Sequence, residues 1–184
     1  MSSGPRHGFR VGYAAALQVV DMILPAVARV EIAGSLRRLQ PDVGDVEIVA
    51  VPKMVEEESG DLFRTRTRVN LLERRVAELL AAGKLQPHPI DPKNGERYKK
   101  LWVPDPGIQL DLFIVAAAQW GPALLIRTGP AHFSAAMVTE LRRKGLRCEE
   151  LAIRRGAEVL DCPDERAFFA LCERSYLAPE CRGG

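Results

Sequence analysis

The stretch Gly34-Ser35-Leu36-Arg37-Arg38, followed by Gly44-Asp45-Val46-Glu47-Ile48-Val49-Ala50-Val51, decides how this chain is read. Residues 45–51 alternate and are rich in Val and Ile, which predicts a strand ended by Pro52. Side chains two apart on a strand leave the same face. Asp45 and Glu47 therefore point together, while Val46 and Ile48 turn into the core. Upstream, residues 29–33 read as a short strand and residues 35–40 as one helical turn. Gly34 between them lets the backbone approach a ligand closely. Free N–H groups at the start of a helical turn suit an anion, and Arg37 and Arg38 follow at once. A phosphate cradle and a pair of carboxylates thus lie side by side in the sequence.

A third carboxylate belongs to the stretch Gln109-Leu110-Asp111-Leu112-Phe113. Residues 97–103 and 108–115 read as two strands of a hairpin, joined across Pro104-Asp105-Pro106-Gly107. Leu110, Leu112 and Ile114 face one side and Asp111 the other. If the strands of Asp45 and Asp111 are neighbours, three acids converge on one exposed surface and repel one another. Divalent cations relieve that repulsion, and Mg²⁺ prefers oxygen ligands. Two such ions can stabilise the attacking and leaving oxygens of a nucleotidyl transfer. A lone acid-x-acid strand is more often a solvated face, and the glycine-serine turn upstream is what separates this one.

The rest of the chain predicts an α+β protein. Residues 11–27 read as a helix broken near Pro25, and 61–82 as a long amphipathic helix closed by Gly83. Residues 85–90 read as a strand and 91–96 as a loop. After residue 118 the character changes: a helix over 123–127, a break at Thr128-Gly129-Pro130, and a helix over 131–144 that stops at Gly145. One or two strands follow over 147–155, then a last helix that starts at 161–165 and runs to about 173. The expected organisation is a mixed β-sheet domain with helices on one face over 1–118 and a small, mainly helical unit over 119–184.

The 184 residues are 47% hydrophobic and 27% charged, an ordinary globular composition. No apolar run reads as long enough to cross a membrane, and residues 1–10 lack a signal peptide's apolar stretch. The expected location is the cytoplasm, nucleoid-associated, or the host cell for a viral protein. Cys148, Cys162, Cys172 and Cys181 lack metal-ligand spacing and read as free thiols. Net charge is only +2. Basic residues nevertheless cluster at Arg64, Arg66, Arg68, Arg74 and Arg75, at Arg97, Lys99 and Lys100, and at Arg142, Arg143, Lys144 and Arg147, which fits a polyanionic partner.

The glycine-serine turn followed by an acid-x-acid strand resembles the signature of the polymerase-beta nucleotidyltransferase superfamily. The double arginine after Gly34-Ser35 and the strand around Asp111 resemble the family X DNA polymerases. So does the order Arg127-Thr128-Gly129, Phe133, Lys144-Gly145-Leu146 and Ile153-Arg154. The resemblance spans about 29–176, the palm and the C-terminal thumb subdomain, with no room for the usual N-terminal domains.

That resemblance implies a minimal DNA polymerase that adds a deoxynucleotide to a primer 3′-hydroxyl, in gap filling during DNA repair. It implies two Mg²⁺ ions, with Mn²⁺ able to substitute. Asp45 and Glu47 would bridge both ions and Asp111 would hold the catalytic one. Gly34, Ser35, Arg38 and Gly44 would bind the triphosphate, with Ile126, Arg127, Thr128, Gly129 and Ser134 near sugar and base. Arg97, Lys99, Lys100, Arg142, Arg143, Lys144 and Arg154 would contact primer-template or gapped DNA. The protein is expected to be a monomer. Five positions depart from the family: Glu47 stands where Asp is usual, Ile126 and Arg127 where relatives carry aromatic residues, and Ser134 and Val138 where Asn and Arg are usual. The altered bend predicts weakened discrimination against ribonucleotides. Other readings are a template-independent terminal transferase, a nucleotidyltransferase acting on RNA, a protein or a small molecule, and a nucleic-acid-binding module without activity.

Overall fold

A computed structural model of the protein describes residues 5–58 and 66–183. In chain order the elements are β1 (His7–Gly8), α1 (Phe9–Ile23), β2 (Val27–Ile32), α2 (Gly34–Arg37), β3 (Asp42–Val43), β4 (Asp45–Pro52), β5 (Met54–Glu58) and β6 (Arg66–Asn70). Then come α3 (Leu71–Ala81), β7 (Gln86–Pro87), β8 (Lys93–Asn94), β9 (Tyr98–Val103), β10 (Ile108–Ile114), α4 (Trp120–Thr128) and α5 (Ala131–Arg143). The chain closes with β11 (Arg147–Glu149), β12 (Ala152–Arg155), β13 (Glu158–Leu160) and α6 (Glu165–Leu171).

The main sheet runs β2-β4-β10-β9-β7, with β8 also on β9. Its centre is a parallel pair, β4 beside β10, in which Asp45 lies opposite Gln109 and Glu47 opposite Asp111. Strand alternation gives each face its own partner. Val46, Ile48, Ala50, Leu110, Leu112 and Ile114 pack into one core with α1 and α3. Val49, Val51, Phe113 and Val115 pack on the other face against Trp120, Ala123 and Leu124 of α4. A central strand covered on both faces reads as a nearly continuous apolar run, which is what 45–51 is.

Helix α1 presents Ala15, Ala16, Val19 and Ile23 to that first core, a helical stripe. Gly12 on the same side has to be small, because a Cβ there would lie 2.3 Å from Val43 Cγ2. The segment Phe9–Ala26 has a mean hydropathy of 1.2 over 18 residues, so by length and composition it is apolar enough to cross a membrane. That corrects the expectation of no such run. In the fold its buried side is a sheet-packing face.

The long helix expected over 61–82 is also corrected. Residues 66–70 are a strand, β6, paired antiparallel with β5, and 61–65 lie outside the described residues. Arg68 and Val69 pair with Glu56 and Val55, so the arginine-rich segment is one side of a hairpin. The helix begins only after Asn70, whose side chain accepts from the N–H groups of Leu72 (3.0 Å) and Glu73 (3.1 Å). It ends before Gly83, at φ +67°.

The C-terminal part packs α4, α5, α6 and the β11-β12-β13 meander round Leu125, Leu141, Ile153, Phe168 and Phe169. Strand β13 was not expected. Asp164 caps α6, accepting from the Ala167 N–H at 2.8 Å. Gly121 is fixed by close approach, since a Cβ would lie 2.4 Å from the Cys162 carbonyl.

Candidate active site

The parallel register places Asp45, Glu47 and Asp111 on one face of two adjacent strands, which lie about 4.8 Å apart in any such sheet. All three are half-buried, not exposed as expected, because α4 covers the far half of the same face. Burial, then the charges of Asp45 and Asp111, push the Glu47 carboxyl up to about 8, against the pull of Arg38 and Arg127. Asp45 is raised by burial and then by Asp111, while Arg6 and Arg38 oppose. Among the described residues no three acidic, His or Cys side chains stand close enough to form a ready-made metal cage. The donor set nevertheless fits divalent cations: three partly buried carboxylates, mutually repelling, all with hard oxygen ligands.

Gly34 sits at φ +62°, and a Cβ there would lie 1.8 Å from Glu47 Oε2. The turn therefore comes as close to the second acid as backbone can. Beside it is a cavity of about 300 Å³ lined by Ser35, Arg38, Gln40, Gly44, Asp45 and Glu47. Ser35 Oγ and Arg38 Nε are buried there with no hydrogen-bond partner. Buried polar groups left without a partner are costly and point to a missing ligand or water. Burial lowers the Arg38 pKa, while Glu47 and Asp45 oppose that shift. A larger cleft, about 860 Å³, lies at the C-terminal ends of β4 and β10. Its polar lining is mainly Lys53, Arg68, Arg97, Glu96 and Gln119, and it holds none of the converging acids.

The bend after α4 differs from expectation. Thr128 is fully buried. Its hydroxyl accepts from Arg37 Nη1 at 2.9 Å, and its carbonyl accepts from Arg38. Its side chain therefore fixes Arg37 and its backbone carbonyl fixes Arg38, and the residue offers no exposed surface. Ser134 is also buried and donates to the Ile126 carbonyl at 3.0 Å. Gly129 is pressed against that same residue: a Cβ would lie 2.6 Å from Phe133 Cδ1 and 2.8 Å from Ser134 Oγ. Ile126 packs against the C-terminal core. Arg127 is the residue that reaches the acid face, its guanidinium 4.0 Å from the Phe113 ring centre. At this bend Arg127 is therefore turned toward the acid face and Ile126 toward the C-terminal core.

The network behind Arg37 was not expected. Its Nη2 donates to Glu165 Oε2 at 2.8 Å, and the other Glu165 oxygen accepts from the buried Arg182. Arg182 also donates to the Leu177 carbonyl. Tyr98 and Gln109 were missed too: they donate to Asp111 Oδ1 at 2.8 Å and Oδ2 at 3.0 Å. Gln109 shares the parity of Asp111 along one strand, a signal present in the sequence. Tyr98 required the hairpin register.

Of the basic residues, Lys99 is corrected outright. Its side chain is fully buried and donates to Glu73 and Asn94, both at 2.7 Å, so no DNA contact is open to it. Lys100 is on the acid face, opposite Asp111, and pairs with Asp91 at 3.5 Å. Arg97 is exposed beside Glu150, Arg143 beside Glu140, Lys144 beside Glu173, and Arg154 at 3.8 Å from Glu149. Arg142 is exposed. Arg64 lies outside the described residues.

The raised Glu47 carboxyl has a consequence for stability. The unfolded chain releases this proton near the ordinary 4.5, and the fold keeps it up to about 8. In that window the folded state binds more protons, so stability falls as pH rises. The metal-free protein is expected to lose melting temperature between about pH 5 and pH 8, with saturating Mg²⁺ flattening the slope. Calorimetry in chelator and in Mg²⁺ checks it. An identical slope in both would mean that the carboxylates hold no cation.

No known family model matches the chain, and no curated protein matches it.

Proposed function

We propose that the protein is a metal-dependent nucleotidyltransferase of the family X DNA polymerase type, adding a deoxynucleotide to a primer 3′-hydroxyl at short gaps. One observation carries this reading. Three same-face carboxylates adjoin a glycine turn whose Ser35 hydroxyl and Arg38 Nε are buried without a partner. Asp45, Glu47 and Asp111 would hold Mg²⁺, which when bound stabilises charge on the attacking and leaving oxygens of such a transfer.

The chain's own part is positioning. Ser35 and Arg38 donate to phosphate oxygens, and the Gly34 turn brings backbone up to them. Asp111, on the strand beside the other two acids, faces the hydroxyl that attacks. Arg37 and Thr128 hold the cradle to the C-terminal unit. Arg127, which reaches the acid face, would border the sugar of the nucleotide.

The test is extension of labelled gapped, primed and single-stranded DNA, with deoxy- or ribonucleotides, in Mg²⁺ or Mn²⁺. Templated addition at a gap supports the reading. Addition to single strands alone would make the protein a terminal transferase. Transfer to RNA, protein or a small molecule alone would move it to another branch of nucleotidyl transfer.

If DNA is the partner, affinity falls with salt, and each phosphate contact removed lowers the slope by about 0.9. Lys100→Ala with Arg142→Ala is expected to flatten the slope by up to about twice that. Lys99→Met is expected to leave the slope unchanged, because Lys99 is buried and ion-paired. Binding curves from low to high salt decide it, and a flattened slope in Lys99→Met would contradict the burial argument.

A further inference from the structure

Tyr98 is the side chain that the motif does not account for. It pairs across the strands with Phe113, and the two rings stack with centres 5.2 Å apart and planes 17° apart. From there its hydroxyl reaches diagonally to Asp111 Oδ1 at 2.8 Å. Gln109, two residues before Asp111 on the same face, donates to the other oxygen at 3.0 Å. Both oxygens of the third carboxylate are therefore oriented by donors on the sheet itself.

The charge of those donors matters. Lys100 lies directly opposite Asp111 in the β9-β10 register and would be its natural ion partner. It turns instead to Asp91. Among the described residues Asp111 makes no salt bridge, and its two partners are a phenol and an amide, both neutral. A neutral donor fixes the direction of a carboxylate without cancelling its charge, and each oxygen keeps a further lone pair. An ammonium in the same place would have cancelled the charge a cation requires. The Tyr98 hydroxyl is also held firmly: its ring is stacked on Phe113, and the Arg127 guanidinium lies over that same Phe113 ring.

We propose that Tyr98 is a positioning residue for Asp111, fixing the third carboxylate for cation binding through a neutral hydrogen bond. The proposal rests on the reading of Asp111 as a metal ligand. Outer donors of this kind orient a ligand, and their loss costs about 10- to 100-fold in metal affinity or activity.

The test is Tyr98→Phe, which keeps the ring stack and removes only the hydroxyl. Mn²⁺ binding is titrated without nucleotide or DNA, in the wild-type and Asp111→Asn backgrounds. The expected result is a loss of Mn²⁺ affinity of about tenfold or more in the wild-type background and none in Asp111→Asn. With nucleotide and gapped DNA, kcat falls in Tyr98→Phe while KM for the nucleotide stays within about twofold, because the cradle is untouched. Equal losses in both backgrounds, or unchanged Mn²⁺ affinity, overturn the proposal. A wild-type protein that binds Mn²⁺ but transfers no nucleotide defeats the polymerase reading, and the Mn²⁺ cycle still decides Tyr98. A wild-type protein that binds no Mn²⁺ overturns both.

Discussion

Asp111→Asn is expected to abolish turnover while leaving the fold at least as stable as before. Asparagine keeps the size of the side chain; its remaining oxygen can still accept from Tyr98, and Gln109 keeps a partner by turning its amide so that its oxygen accepts from the new N–H group. What disappears is one negative charge. In the metal-free protein that charge is unfavourable, since it helps to raise both Asp45 and Glu47. During transfer the same charge would help to hold a divalent cation, which when bound supplies stabilisation of the charge that develops. Electrostatic stabilisation of this kind is the largest single contribution in many enzymes. Its loss here should lower kcat by about a thousandfold, on the order of 4 kcal/mol of transition-state stabilisation. Single-turnover extension gives the rate, and calorimetry in chelator gives the stability. A variant that keeps a tenth of the wild-type rate would remove Asp111 from the mechanism. A variant that unfolds would assign it a structural role. The combination of a lost rate and a kept fold also separates an enzyme from an inactive nucleic-acid-binding module, for which Asp111 would have no work.

The acid site was legible in the sequence because its logic is local. Alternation along 45–51 and 108–114 puts Asp45, Glu47 and Asp111 opposite the apolar core, and the register of β4 on β10 agrees with that pattern. The Gly34 turn was legible for the same reason: a glycine between strand and helical turn, next to a carboxylate, has few other uses. The failures arose where the partner was distant in sequence. Residues 66–70 carry helix-compatible charges, and only pairing with β5 makes them a strand. Lys99 reads as one more surface cation until β9 places it over Glu73 and Asn94 on the core side of the sheet. Thr128 and Ser134 carry hydroxyls that sequence cannot assign. The structure consumes both, one on Arg37 and the other on the Ile126 carbonyl. No local pattern joins Arg37, Glu165 and Arg182, which are brought together only by the docking of the C-terminal unit.

That last trio sets the second large effect, since it connects stability to the cradle. Glu165 has only 5% of its side chain exposed and accepts from Arg37 and Arg182, the latter fully buried. Burial by itself would raise the Glu165 carboxyl, but the two guanidinium donors outweigh it and hold it below the usual range. A lowered carboxyl stabilises the fold above its ordinary pKa, and that contribution is lost as pH falls through the lowered value. Glu165→Ala removes the one carboxylate that, among the described residues, pairs with both arginines, and leaves their charges unpaired there. Breaking a buried pair in this way costs about 3–5 kcal/mol. At about 2–4 °C per kcal/mol for a chain of this size, the melting temperature should drop by roughly 6–20 °C. Arg182→Met is expected to cost less, because Arg37 still neutralises Glu165 and an apolar side chain suits the space beside Phe133, Phe169 and Tyr176. Combining the two should cost less than their sum, since the double variant has no unpaired Arg182 to bury. The effect should also reach the nucleotide. Arg37 holds Thr128, Thr128 holds Arg38, and Arg38 faces the acids. Measured well below its melting temperature, Glu165→Ala should therefore raise KM for the nucleotide by about tenfold, near 1.4 kcal/mol of binding. Strictly additive stabilities, or a KM that stays at the wild-type value, would show that Glu165 braces the C-terminal unit without setting the cradle.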